Sequence, residues 1–176
     1  MPTTSLAAPA IETIRHAQKP LPKVRLAVPG EIEELLAIGR ELYEENALQA
    51  GDNDMDEDAI RQAVEAAILH GNGILAVIGK DPIEALTLMQ FHKYWYKKNF
   101  HLQELFVFCR APYRRSRNTK VLLEFNKAAA LKLGIPLLIG AVSNERTEQK
   151  LRLYQRVYGK PAGFYFLVGG HTGKGA

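Results

Sequence analysis

The densest run of chemically capable side chains lies between Glu104 and Lys120. Arg114, Arg115, Arg117 and Lys120 crowd into one short stretch, and a helical pattern begins at about Asn118. A helix start presents unpaired backbone N–H groups and a partial positive charge, which suits phosphate. Arginine suits it further, because its planar fork donates two hydrogen bonds at once. The run is therefore expected to bind a phosphate-bearing ligand; the competing readings are a solvated charged face and a nucleic-acid patch. Upstream, Glu104 stands among Leu102, Leu105 and Phe106 in a strand pattern. A carboxylate placed there loses hydration, which raises its pKa and makes it a better base near neutral pH. The plainer reading is a strand-edge glutamate paired with a lysine.

Other reactive side chains point nowhere specific. Cys109 is the only cysteine, which leaves no internal disulfide and no thiolate cluster for a metal. No histidine stands fixed beside it, so a nucleophilic thiol is not expected. His16, His70, His92, His101 and His171 show no metal-ligand spacing, and no metal is expected.

The elements that must position these residues alternate along the chain. A strand over Val24–Val28 is followed by a helix opening at Pro29, with Ile32, Leu35, Leu36, Ile38, Leu42 and Tyr43 on one face. A break at Gly51–Asp54 precedes a second helix with acidic residues at its start, where the helix dipole favours them, and Gly71 at its end. Strands follow at Ile74–Ile78 and Glu84–His92, joined at Asp81-Pro82, and a hairpin turn at Tyr96–Asn99 leads back through Phe100–Cys109. A helix over Asn118–Leu133 stops at Gly134; a strand over Leu137–Val142, a helix over Thr147–Tyr158 and a strand over Phe164–Val168 complete the pattern. The order βααβββαβαβ predicts an α/β fold with a mixed sheet and helices on its faces. Residues 1–22, with four prolines and no period, read as a mobile leader; the glycine-rich end from residue 170 reads as a tail.

This order of elements, the segment Tyr113-Arg114-Arg115-Ser116-Arg117-Asn118-Thr119-Lys120-Val121-Leu122-Leu123, and the later Asn144 and Leu153-Tyr154 together resemble the GNAT acetyltransferase superfamily over residues 23–169. The resemblance implies a mostly antiparallel sheet flanked by helices. It also implies transfer of an acetyl group from acetyl-CoA to a primary amine. In that family the loop reads Arg/Gln-x-x-Gly-x-Gly/Ala and wraps the pyrophosphate of coenzyme A. Arg114 falls on its first position, while Arg117 and Thr119 stand where the glycines are expected. Carried over by position, Arg114, Arg115, Ser116, Arg117, Asn118, Thr119 and Lys120 would hold the phosphates. Backbone groups at Val107 and Cys109 would hold the pantetheine arm, with Asn144 beside it. Glu104 would be the general base. Tyr154 would give a proton to the departing thiolate, for which a phenol of pKa about 10 is suitably protonated at neutral pH. Glycine-poor as the loop is, a GNAT-fold module without turnover is the alternative, and a nucleic-acid-binding protein a more distant one.

Charge and composition bound the partners. The 176 residues are 47% hydrophobic and 24% charged, with a formal net charge of +4, ordinary for a soluble domain. The longest apolar stretch, Ile135–Val142, is far short of the ~20 residues of a membrane helix, and no secretory signal opens the chain. A cytoplasmic protein without membrane association is expected. The acidic segment Asp52–Asp58 would attract a cationic acceptor, or else cap a helix. The aromatic and basic stretch Phe91–Phe100 could stack on a base, cap the core or pack on a second subunit; a homodimer contact is the expectation.

Overall fold

The computed structural model describes residues 22–50, 55–140 and 147–163. Among the described residues five strands form one sheet: β1 Val24–Leu26, β2 Gly73–Gly79, β3 Ile83–Lys93, β4 Phe100–Cys109 and β5 Leu137–Ile139. They lie in chain order, antiparallel except for the parallel β4–β5 pair. Four helices cover the sheet: α1 Ile32–Ala50, α2 Glu57–Ile68, α3 Asn118–Leu133 and α4 Thr147–Tyr158. The architecture is the mixed sheet with flanking helices that the element order predicts, and it is mostly antiparallel, as the family resemblance implies. The strand expected at Phe164–Val168 lies outside the described residues, and β5 ends at Ile139 where a strand to Val142 was expected. No described helix is long and apolar enough to cross a membrane.

Local chemistry sets the start of α2 and the end of α3. Asp56 caps α2, its carboxylate accepting from the Ala59 N–H at 2.8 Å. Gly134 ends α3 in the left-handed region at φ 66°, which a glycine adopts without a Cβ penalty. A parallel β4–β5 pair cannot be closed by a tight turn, and α3 supplies the crossover between them.

The two faces of the sheet carry separate cores. Leu35 and Ile38 of α1 and Val64 and Ala67 of α2 pack on Leu75, Val77, Leu86, Leu88 and Phe108. On the other face Leu122 and Leu123 of α3 and Tyr154 and Val157 of α4 pack on Ile78, Ala85, Val107 and Cys109. A β-bulge decides which residues of β4 reach which core. Met89 pairs with Glu104 but Leu88 pairs with Phe106, so Leu105 is an extra residue on β4. Side chains alternate with a period of two, and one inserted residue exchanges the faces of everything beyond it. Leu102 accordingly packs on the α3 side, as Val107 and Cys109 do, whereas Phe106 and Phe108 pack on the α1–α2 side. Without the bulge, two phenylalanines would occupy the face where Val107 and Cys109 now lie.

Candidate active site

β4 belongs to the sheet in two different ways along its length. From Leu102 to Glu104 it is paired on both sides, with β3 and with β5; the parallel ladder runs Leu102–Leu137, Gln103–Leu138 and Glu104–Ile139. Beyond Glu104 it has no described partner on the β5 side. The Arg110 N–H donates to the Glu84 carbonyl at 3.0 Å. By the alternation of an antiparallel ladder, Val107 and Cys109 then turn their N–H and C=O groups away from β3, toward the side where no described strand pairs with them. Apart from the Cys109 carbonyl, which accepts from Arg114, an extended, amide-bearing ligand would meet backbone groups with no described strand partner there.

At the C-terminal end of this half-strand, the chain makes a 3-10 turn at Ala111–Tyr113 and enters α3. The loop divides its cations between two tasks. Arg114 is tied back to the protein: its Nε donates to the Cys109 carbonyl at 3.0 Å, and its guanidinium pairs with Glu45 of α1. Asn118 is buried, donates from Nδ2 to Glu84 at 2.8 Å, and gives its backbone N–H to Ser116 Oγ at 3.1 Å. Arg115 and Arg117 are exposed and have no side-chain partner among the described residues. No described carbonyl accepts from the N–H groups of Thr119 and Lys120, in the first turn of α3. Lys120 reaches Glu124 at 3.5 Å. Glycine is not demanded by the backbone: Arg117 sits at φ −91°, ψ 4°, and Asp81 is the one non-glycine residue with positive φ among the described residues. Below the loop, α3 and α4 enclose a groove of about 280 Å³ lined by Lys120, Glu124, Lys127, Leu153, Arg156 and Val157.

Where β4 and β5 part, Glu104 is only 5% exposed, and so is Tyr154. The Tyr154 hydroxyl donates to Glu104 Oε1 at 2.8 Å. Asn126 of α3 donates from Nδ2 to Glu104 Oε2 at 2.9 Å and to Thr87 Oγ1 at 2.9 Å, and Thr87 donates to the Phe106 carbonyl at 3.2 Å. One carboxylate thus links β4, α3, α4 and, through Asn126, β3. Burial raises the pKa of Glu104; the bonds from Tyr154 and Asn126 and the charge of Lys150 oppose that rise. The Tyr154 phenol is pushed well above its ordinary value, first by burial and then by the neighbouring carboxylate. Lys150, one turn earlier on α4, lies 5.7 Å from the centre of the Tyr154 ring; burial lowers its pKa and Glu104 works against that.

The two residues expected to do acid–base work are therefore neighbours, although 50 positions separate them. Asn126, Thr87 and Lys150 were not expected there. A signal for Asn126 exists in the sequence: Asn118, Leu122, Asn126 and Ala130 repeat every four residues along the buried stripe of α3, so two amides sit on an otherwise apolar face. Asn144 lies outside the described residues, as do Asp52 and Asp54. Of the acidic segment, Asp56 acts as a helix cap. The Cys109 thiol is buried and burial raises its pKa, which leaves it protonated. No group of three or more metal-ligating side chains occurs among the described residues. Phe91, at the base of the aromatic hairpin, packs against the Met89–Leu102 cluster, whereas the tip stands off the core, with Trp95 95% exposed.

The backbone is similar to solved structures of several acetyltransferases. A predicted acetyltransferase with acetyl-CoA from Clostridium acetobutylicum matches at TM-score 0.64 and 13% identity, over 84% of this chain and 95% of that one. The ribosomal-protein-alanine N-acetyltransferase of Brucella melitensis matches at TM-score 0.62 and 9% identity, over 83% and 96%. An aminoglycoside acetyltransferase from an uncultured soil metagenomic sample matches at TM-score 0.60 and 12% identity, over 87% and 96%. No family model and no curated protein sequence matches the chain.

Proposed function

We propose that this chain, which has the GNAT acetyltransferase fold, is an N-acyltransferase that uses acetyl-CoA and acetylates a primary amine. The observation that carries the reading is the buried Glu104–Tyr154 pair, at the point where β4 leaves β5 and begins a run with no described strand partner on that side. Donor groups suited to the co-substrate follow one another in the chain from that run to the start of α3. Val107 and Cys109 would bind its amide-bearing arm, and the N–H groups of Thr119 and Lys120 with Arg115 and Arg117 would bind its phosphates. Ser116 shapes this loop by accepting from Asn118, and Asn144 would stand beside the arm. Arg114 and Asn118, whose side-chain donors are engaged within the protein, would support the site from behind. When bound, acetyl-CoA supplies an activated acetyl group and a thiolate leaving group.

The protein's own part is to move two protons in a set order. While Glu104 is ionised, deprotonating Tyr154 would place two negative charges within one hydrogen bond, and burial makes that costly. A proton taken from the acceptor amine by Glu104, directly or through water, removes this obstacle. Tyr154 can then release its own proton toward the leaving sulfur and recover one from Glu104. Burial raises the pKa of the carboxylate, making it the stronger base that this first step needs.

A second reading has its own observation: each member of the pair satisfies the other and both are nearly inaccessible, so they could act as a buried pin in a coenzyme-binding module without turnover. One experiment separates the two. Purified protein is incubated with acetyl-CoA and a panel of amines (polyamines, lysine peptides, aminoglycosides), and thiol release is followed while calorimetry measures coenzyme A binding. Release with at least one amine supports the enzyme. Binding without release by any amine supports the module, and absence of binding overturns both.

A further inference from the structure

The tip of the β3–β4 hairpin lies at the opposite end of β4 from the arginine loop, roughly 30 Å away at ~3.3 Å per residue. It exposes Trp95 at 95%, Tyr96 at 57% and Phe100 at 45%. Lys93, Lys97 and Lys98 flank these rings, and no acidic residue occurs between Glu84 and Glu104. The lysines lie against aromatic faces: Lys97 Nζ is 5.6 Å from the Tyr94 centroid and 5.3 Å from that of Tyr96, and Lys93 Nζ is 5.2 Å from that of Phe100. We propose that this tip binds single-stranded nucleic acid, with bases stacking on Trp95 and Tyr96 and phosphates meeting Lys93, Lys97 and Lys98.

Charge selects an anionic partner, and the other occupants fit less well. A symmetric contact between two tips would bring six ammonium groups together with no carboxylate among them. Entry into a lipid core would carry along the apex backbone, where Trp95 and Tyr96 donate no N–H to a described carbonyl; unpaired backbone groups are costly in hydrocarbon. The tip also offers no aliphatic side chain from Lys93 to Phe100. Aromatic faces beside phosphate-binding cations are the combination that holds single strands without reading their sequence. This inference stands apart from the proposed acyl transfer and would survive its failure.

Trp95 is the only tryptophan, so tryptophan emission reports on this tip alone. The full chain is titrated with oligothymidylate over a series of salt concentrations. Stacking should quench the emission, and three phosphate contacts should give a slope of log affinity against log salt of about −2. Lys97→Ala with Lys98→Ala should reduce the slope to about −0.7, and Trp95→Ala should weaken retention on immobilised oligothymidylate about tenfold or more. An unchanged slope in the lysine variant would place binding elsewhere, at the arginine loop for example, and overturn the proposal. So would an emission that ignores oligothymidylate. A blue shift with phosphatidylcholine–phosphatidylglycerol vesicles and no quenching by the oligonucleotide would assign the tip to a membrane surface. Emission that changes with protein concentration alone would assign it to a second copy.

Discussion

Removing the Tyr154 hydroxyl takes from Glu104 one of the two side-chain donors described for it and leaves the Asn126 amide, in a place where water is scarce. Tyr154→Phe should therefore retain coenzyme affinity by calorimetry, yet slow turnover by about 10²-fold, within the range of general acid–base catalysis. It should also raise the Glu104 pKa further and move the acidic limb of the pH–rate profile upward. Glu104→Gln should abolish that limb. Because base and acid act in one sequence, the double variant should be little slower than the worse single one; additive losses would mean that the residues work independently. Glu104 also leaves a mark on stability. Its folded pKa is raised, so as pH rises from below the ordinary carboxylate value the unfolded chain ionises first, and stability is lost until the folded carboxyl has ionised too. Chemical denaturation at several pH values should show this decline in the wild-type protein and its absence in Glu104→Gln.

Helix α1 lies on the opposite face from α3 and α4, but its carboxylates hold the loop that α3 grows from. Glu41 receives Arg110 at 2.7 and 3.0 Å, Glu45 pairs with Arg114, and Glu34 accepts from the Ile83 N–H at 2.8 Å. Two neighbouring arginines should then respond differently to truncation. Arg114→Ala should lower stability by about 1 kcal/mol, the scale of a half-exposed ion pair, and affect coenzyme affinity only indirectly. Arg115→Ala and Arg117→Ala should leave the melting temperature unchanged and weaken coenzyme A binding in calorimetry. Unchanged affinity in both would remove the loop from the site. The elements themselves were legible in the sequence, because long periodic runs such as Asn118–Leu133 end at recognisable stops such as Gly134. The bulge was not. Leu105 looks like any other apolar strand residue, and only its pairing against Leu88 and Met89 shows that it is supernumerary.

For the molecule as a whole, ligand binding and folding are linked. If coenzyme A joins the α3 start to the open half of β4, it binds the folded chain and not the unfolded one. At a hundredfold excess over its dissociation constant it should add about 2.7 kcal/mol of stability. A melting temperature that rises with coenzyme concentration, and no longer does so in Arg115→Ala with Arg117→Ala, would support this site. A rise unaffected by those changes would place it elsewhere. How Glu104 and Tyr154 come together was legible only through the family resemblance. Residues so far apart in the chain meet because the β4–α3–β5 crossover and α4 cover the same face of the sheet. Asn126 shows in the sequence only as an amide on an apolar stripe, and Lys150 carries no such label, since a single ammonium on a helix is read as solvent-facing until packing shows otherwise. The hairpin followed a different logic: its composition was plain, but only the exposed Trp95 shows that the rings face outward.

The parting of β4 from β5 has a further consequence, visible in time. A central strand is ordinarily the last part of a sheet to exchange its amide hydrogens with water. Here one strand should keep two clocks. Leu102, which donates to the Pro136 carbonyl at 2.9 Å, should exchange only when the sheet opens. The amides of Val107 and Cys109 face the side with no described strand partner and should exchange far sooner in the free protein, then slow to the pace of their neighbours once an extended ligand lies along them.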